Sequence, residues 1–317
     1  MPDILTLSLI IPAYDEVEGA DEIIDFYREI RAAHPALHIE LLVVDDGSTD
    51  GTPEAVMAAT VPGDDVRVVQ LSRNFGAHAA ISAGLAHCTG DAALTLSADR
   101  QEPLEAVGDF VDAWRAGADI VWGLRSVRAR KGGLNEVFAR SFSSVFHAVS
   151  IVPTYPQEGP SHILLTRQVI DVLNEMPEGH RNVLAMAAWT GFDQRRIYFD
   201  QMPRPHGTSR WTSAKKVKLV IDSLVEFSSA PLRWIQQAGA ALGVLGAVLL
   251  VGSAVQALVP GGGDGFRLAI CGLVLGVGGA QLVALGIVGE YVWRAGDDAR
   301  RRPLSIVRAV HRTGTHG

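Results

Sequence analysis

The sequence predicts an α/β domain built on a mostly parallel sheet with helices on both faces, followed by a two-helix hairpin of membrane-spanning length. Three observations carry that expectation. Before residue 125, short apolar runs alternate with amphipathic stretches. Near the C-terminus, Ala238 to Val259 and Leu268 to Gly289 are two runs of 22 residues free of charge. Charge is also divided along the chain: residues 1–120 hold 6 basic and 22 acidic side chains, 121–230 hold 14 and 9, and 231–317 hold 8 and 4. An acidic front half argues against nucleic acid as a partner, whereas a basic middle beside an apolar tail suits an anionic membrane surface.

In order along the chain, LSLIIPAY, IELLVVDD, VRVVQLS and AALTLSAD read as strands, and Asp21 to Ala33, Pro53 to Ala59 and His78 to His87 read as the helices between them. Strand and helix in alternation imply a parallel sheet covered on both faces. The N-terminus has no basic n-region and its apolar stretch is interrupted by Thr6 and Ser8, so it reads as the first strand and not as a signal peptide. Cys88 and Cys271 stand far apart with no companion Cys/His cluster, which indicates neither a disulfide framework nor a zinc site. The segment Leu134, Val137, Phe138, Phe142, Val145, Phe146, Val149 repeats at helical spacing over 134–150. Core packing is the default for such a stripe; beside the basic run Arg128, Arg130, Lys131 it reads as an interfacial helix bordering lipid.

Each charge-free run exceeds the roughly 20 residues that cross a hydrocarbon layer, and only PGGGDGF separates them. Both outer ends must then face one side. Lys215, Lys216, Lys218 and Arg233 precede the first run, and Arg294, Arg300, Arg301 and Arg302 follow the second, so the positive-inside bias puts both termini in the cytoplasm. The alternative is a pair of buried core helices. Small residues such as Gly239, Gly243, Gly272 and Gly276 offer surfaces for helix packing, within one chain or between copies in a homo-oligomer through the transmembrane or interfacial helices. The expected organisation is a domain over 1–230, a hairpin over 231–293 and a basic tail over 294–317.

In doubly covered sheets ligands bind at the carboxyl ends of the strands. Three of those ends carry polar clusters: Pro12 to Glu16, Asp45 to Thr52, and Ser97 to Pro103. Carboxylates gathered there can accept hydrogen bonds from a base or ribose and hold a hard divalent cation. Turn and capping chemistry is the alternative for Ser48, Thr49 and Asp50. Neither a GxGxxG after the first strand nor a GxxxxGK[ST] is present, which counts against a dinucleotide enzyme and a P-loop phosphotransferase.

IPAYDE, VVDDGSTDGT, LSRNFGAHAAISAGLAHCTGD and SADRQEP, in that order and spacing, resemble the N-terminal half of inverting family 2 glycosyltransferases of the GT-A fold. GTSRW (207–211), SSAPLR (228–233) and GEYVWRAGDDARRRPLSIV (289–307) extend the resemblance to the polyprenyl-phosphate glycosyltransferases, the group of dolichol-phosphate mannose synthase and the undecaprenyl-phosphate aminoarabinose transferase. The resemblance implies transfer of a sugar from a UDP or GDP sugar to a polyprenyl phosphate on the cytoplasmic face of a membrane. It implies Pro12, Tyr14, Glu16 and Asp46 at the nucleotide base and ribose, Ser97 at ribose or metal, and Asp99 and Gln101 at Mg²⁺ or Mn²⁺.

A phosphate acceptor is already anionic near pH 7, so the protein's task there is cationic positioning. Arg125, in GLRSVR just after the sixth strand, Arg140 with Ser144 one turn on, and Arg204 and Arg210 are the candidates, because guanidinium forks match phosphate oxygens bidentately. Two departures stand out. The group's DADLQ is SADRQ here, so Ser97 replaces an acid and Arg100 enters beside the metal position; its DFRL is Ser161-His162-Ile163-Leu164, losing an acid and an arginine. An active enzyme retaining Asp99 is the principal expectation, and a degenerate member serving as a membrane scaffold or partner subunit is the alternative. A processive polysaccharide synthase does not fit, because Arg210-Trp211 lacks the glutamine of QxxRW.

Overall fold

The computed structural model describes residues 4–126, 154–156, 159–176, 182–202, 265–299 and 303–313. By internal contacts the chain divides into two compact units, one of residues 1–147, 152–211 and 301–317, the other of 148–151 and 212–300.

The first unit is built on an eight-stranded sheet. Its strands are β1 Thr6–Ala13, β2 His38–Asp45, β3 Val66–Leu71, β4 Ala92–Thr95, β5 Ile120–Arg125, β6 His162–Thr166, β7 Gln194–Phe199 and β8 Val307–Arg312, in the order β7-β5-β6-β4-β1-β2-β3-β8. β1 runs parallel to β2 and β4, β2 to β3, and β5 to β7; β6 lies antiparallel between β4 and β5, and β8 is antiparallel on β3. The carboxyl ends of β1 to β5 and β7 therefore share one edge, joined there by the amino end of β6.

The helices are α1 Ala20–Ala33, α2 Thr52–Ala58, α3 Ala77–His87, α4 Leu104–Arg115, α5 Arg167–Glu175 and α6 Val183–Trp189. Alternate strand residues point to opposite faces. Leu7, Leu9 and Ile11 with Leu41 and Val43 join Ile24, Tyr27 and Ile30 of α1, Val56 of α2, and Phe110 of α4 in one buried cluster. Ile10 and Val44 meet α3 on the other face, where Gly84 lies so close that a Cβ would come within 2.5 Å of Ile10. Burial on both faces explains why these strands read as unbroken apolar runs rather than as alternation.

The expected strands and helices before residue 100 are all present. Arg125 is the last residue of the fifth strand of the chain and does not follow a sixth, because only the four expected strands precede β5. The basic tail is likewise not a separate element. Residues 307–312 return to extend the sheet beside β3, and the Thr313 side chain caps that edge through Val66 N and Asp64 O at 3.2 and 2.7 Å.

Of the second unit, the helix α7 (Gly265–Ala299) is described. Among residues described to the side chain no helix is long and apolar enough to cross a membrane. The α7 backbone is nonetheless one continuous helix of 35 residues that contains all of Leu268 to Gly289, and at 1.5 Å per residue it extends ~52 Å. The 134–150 stripe and the run Ala238 to Val259 lie outside the described residues.

Candidate functional site

The loops after β1 and β2 are laced together by short side chains. Asp15 N donates to Ser48 Oγ at 2.8 Å, Glu16 N to Thr52 Oγ1 at 2.9 Å, Val17 N to an Asp50 oxygen at 3.1 Å, and Thr49 N to Asp15 at 3.1 Å. Ser48, Thr49 and Asp50 thus serve turn chemistry between loops, as the alternative reading of that cluster held. Gly47 makes the β2 loop's approach to the β3 loop feasible: its φ is +73° and a Cβ would fall 2.4 Å from the carbonyl carbon of Arg73.

Two of the expected donor-site residues fall on this edge partly open to solvent: Pro12 is half-buried and Tyr14 is 38 % exposed. Glu16 is half-buried at the turn into α1. Asp46 is 4 % exposed, and its carboxylate accepts from Phe75 N at 2.7 Å and Gly76 N at 2.9 Å, so it holds the β3–α3 loop against the β2 end. Burial is the main cause that pushes both Asp45 and Asp46 above the ordinary aspartate range, only partly offset by their backbone and hydroxyl donors.

The third loop follows β4. Gln101 Nε2 donates to Asp99, the two side chains joining at the position expected for a metal. Ser97 Oγ donates to Glu102, within 2.8 Å of each of its oxygens, and Glu102 also pairs with His162 Nε2 at the amino end of β6. Gln101 N reaches back to Ser97 Oγ at 3.4 Å, and Met202 N donates to Gln101 O at 2.9 Å, tying the segment after β7 to the same loop. Arg100 does not aim its charge at Asp99. Its guanidinium pairs with Glu29 of α1 and lies 5.0 Å from the Phe26 ring centroid.

Asp15 (φ 51°) and Arg100 (φ 49°) are the non-glycine residues with positive φ among the described residues, and both are in these loops. Left-handed backbone at such residues costs roughly 1–2 kcal/mol, a strain that concentrates where a loop's shape serves a ligand.

Arg125 is exposed at the carboxyl end of β5, on the shared edge. Arg140, Ser144, Arg204 and Arg210 lie outside the described residues. The structure thus brings Pro12, Tyr14, Glu16, Asp46, Ser97, Asp99, Gln101 and Arg125 to one edge of one sheet. It adds Glu102 and His162, to which the sequence assigned no role. The available signal was a histidine beside the missing acid in Ser161-His162-Ile163-Leu164.

Asp99 and Gln101 supply hard oxygen donors, and among the described residues no three His, Cys, Asp or Glu side chains converge as a complete metal cage. That donor set fits a divalent ion shared with a ligand: Mg²⁺ is commonly bound by one or two carboxylates plus substrate phosphates rather than by an all-protein cage.

Residues 8–157 match the sequence profile of Glycosyl transferase family 2. A putative glycosyltransferase of Bacillus subtilis, CsbB, is 30% identical over 311 residues, covering 96% of this chain and 92% of its own. The SfII prophage-derived bactoprenol glucosyl transferase of Shigella flexneri is 27% identical over 308 residues, covering 97% and 99%. Among solved structures, glucosyl-3-phosphoglycerate synthase from Mycobacterium tuberculosis superposes with a TM-score of 0.51 over 69% of this chain and 79% of its own; at 17% identity that likeness speaks to the fold, a GT-A α/β architecture.

Proposed function

The chain belongs to glycosyltransferase family 2 and is a glycosyltransferase, and from that premise we propose that it transfers a sugar to a polyprenyl phosphate of the undecaprenyl type. The donor is a UDP or GDP sugar, transfer inverts the anomeric centre, and the product is a lipid-linked monosaccharide formed on the cytoplasmic face of a membrane. The observation that carries the membrane setting of the acceptor is connectivity. Unit 1 holds residues up to 211 and again from 301, while both charge-free runs belong to the excursion 212–300 between them. A chain that leaves a folded unit and rejoins it, with β8 paired on β3, can cross a bilayer only an even number of times. Two spans satisfy that. Val274, Leu285, Val288 and Val292 stand exposed along one face of α7, which water disfavours and hydrocarbon does not. The bactoprenol acceptor in the Shigella relative's name, over nearly its whole length, supports the same reading.

In this reading Pro12, Tyr14, Glu16 and Asp46 form the base and ribose end, and Asp99 and Gln101 hold Mg²⁺ or Mn²⁺. When bound, the ion would neutralise the charge developing on the departing nucleotide diphosphate. At the other end Arg125, with Arg140, Ser144, Arg204 and Arg210, orients the acceptor phosphate. With a second pKa of about 6 that phosphate needs little help from a base, so the missing acid at Ser161 is no bar to turnover.

Arg125→Gln tests the acceptor role. A charge-assisted contact contributes roughly 1.5–3 kcal/mol, so apparent affinity for polyprenyl phosphate should fall about tenfold or more while nucleotide binding is unchanged. The Ser97, Ser161 and Ile163 departures favour a second reading, a scaffold that binds nucleotide without turnover. That reading predicts no lipid-dependent defect in Arg125→Gln. For topology, a reporter that works only in the cytoplasm should be active when fused after Gly317 and silent when inserted at Gly262; the reverse would overturn the hairpin.

A further inference from the structure

Two residues that depart from the resembled motifs, 65 positions apart in sequence, meet on one buried carboxylate. Ser97 stands where the motif has an acid and His162 where it has phenylalanine, and both bond Glu102, which is 1 % exposed. We propose that His162 is a positioning residue for the donor site: through Glu102 and Ser97 it sets the 97–101 loop that presents Asp99 and Gln101 to a divalent cation carrying a nucleotide diphosphate. The inference rests on the donor-site reading above.

The links are short and continuous. His162 Nε2 meets Glu102 Oε1; Ser97 closes on the same carboxylate through its Oγ at 2.8 Å and its N at 3.2 Å. Ser97 Oγ in turn lies 3.4 Å from Gln101 N, and the Gln101 side chain holds Asp99. Ser97 N and Oγ both donate to the Glu102 carboxylate, so its oxygens accept and His162 Nε2 is the further donor aimed at them.

The imidazole is placed by a gap made for it. It is 6 % exposed, 6.0 Å from the Phe199 ring, and opposite Gly123, where a Cβ would crowd Phe110 at 2.6 Å and the His162 Cβ at 3.3 Å. If His162 merely filled this apolar wall, phenylalanine would serve as well. If its N–H is what matters, glutamine, whose Nε2 can occupy the same place, should substitute and phenylalanine should not.

The test is calorimetric titration of the full-length protein in detergent with UDP and GDP, each with and without Mn²⁺, for the parent, His162→Phe, His162→Gln and Ser97→Ala. Removing a donor to a buried carboxylate should weaken the Mn²⁺-dependent part of binding about tenfold in His162→Phe. Metal-free nucleotide affinity should be unchanged, and His162→Gln should recover to within about threefold of the parent. Ser97→Ala, at a half-exposed position, carries the test if His162→Phe does not fold, with an expected loss of about threefold or more. Equal Mn²⁺ dependence in the parent and the folded variants, or glutamine no better than phenylalanine, overturns the proposal. A parent with no Mn²⁺-dependent nucleotide binding would instead remove the donor-site reading on which it stands.

Discussion

Glu40 and Asp64 at the amino edge of the sheet and Asp45 and Asp46 at its carboxyl edge are held in opposite ways. At the amino edge, Glu40 is 1 % exposed and is bound by Arg67, by Ser8 Oγ, and by Thr89 N and Oγ1 at 2.6 and 2.7 Å. Asp64, between α2 and β3, takes Arg28 at 2.7 Å and Arg31 at 3.3 Å. Burial would raise both, but hydrogen bonds and arginine charge prevail and both titrate below the ordinary range. At the carboxyl edge, Asp45 and Asp46 are as deeply buried yet have no arginine or lysine salt bridge among the described residues. They are met by backbone N–H groups and a serine, and burial leaves both raised. The amino edge joins its carboxylates to cations and so contributes stability. Asp45 and Asp46 have backbone and hydroxyl donors in place of an ion pair, with the Arg73 charge only a lesser influence on Asp46, and the loops of the same edge hold two strained residues, as suits a surface shaped for a ligand.

The contrast breaks first if Asp99 matters to stability and not to rate. Asp99→Asn should lower the rate of lipid glycosylation roughly 10²-fold or more while the melting temperature of the protein changes little. A variant that keeps full turnover would cancel the metal role.

Glu40→Gln should do the reverse. Breaking one side of a buried ion pair costs about 3–5 kcal/mol, because it leaves the Arg67 charge without its partner. A melting temperature lowered by many degrees is expected, with turnover near the parent's at temperatures where the variant is folded. The sign in pH follows from the lowered pKa values of Glu40 and Asp64. Their contribution is complete above the unfolded-state values of about 4 and is lost as pH falls through the folded ones. The acid limb of the parent's stability profile should therefore be blunted in Glu40→Gln.

Asp45→Asn sharpens the comparison with a smaller effect. A raised folded pKa means that this group's stabilising contribution is present below the unfolded value and is lost as pH rises through the folded one, so at pH 7 its charge is a cost. The asparagine, whose Oδ1 still accepts from Ser48 N, should melt at or slightly above the parent temperature at pH 7. Smallest of all is Arg100→Leu. The Glu29 pair is partly exposed and worth at most about 1 kcal/mol. Its loss should leave turnover within about threefold of the parent.

Periodicity made the alternating strands and helices before residue 100 legible, because a sheet buried on both faces writes itself as apolar runs. The three site loops were legible because polar clusters at strand ends are local in sequence. What escaped was long-range pairing. No local pattern tells that β6 enters antiparallel between β4 and β5, or that Val310 returns to Val69 across more than two hundred residues. Arg100 looked like a cation at the metal position, and only the position of α1 reveals that Glu29 and Phe26 take it. Glu102 was visible as one more acid in a cluster; its importance depends on His162, which the fold brings to it.

The central claim, that the carboxyl edge of this sheet delivers a sugar to a lipid phosphate, is tested most directly by incubating the purified protein with undecaprenyl phosphate and a panel of UDP and GDP sugars, with Mg²⁺ and with Mn²⁺, and weighing the extracted lipid by mass spectrometry. The expected result is one donor that adds a single glycosyl unit to the lipid, with that product absent from Asp99→Asn. Nucleotide binding without any glycosylated lipid across the whole panel would contradict the claim and leave the scaffold in its place.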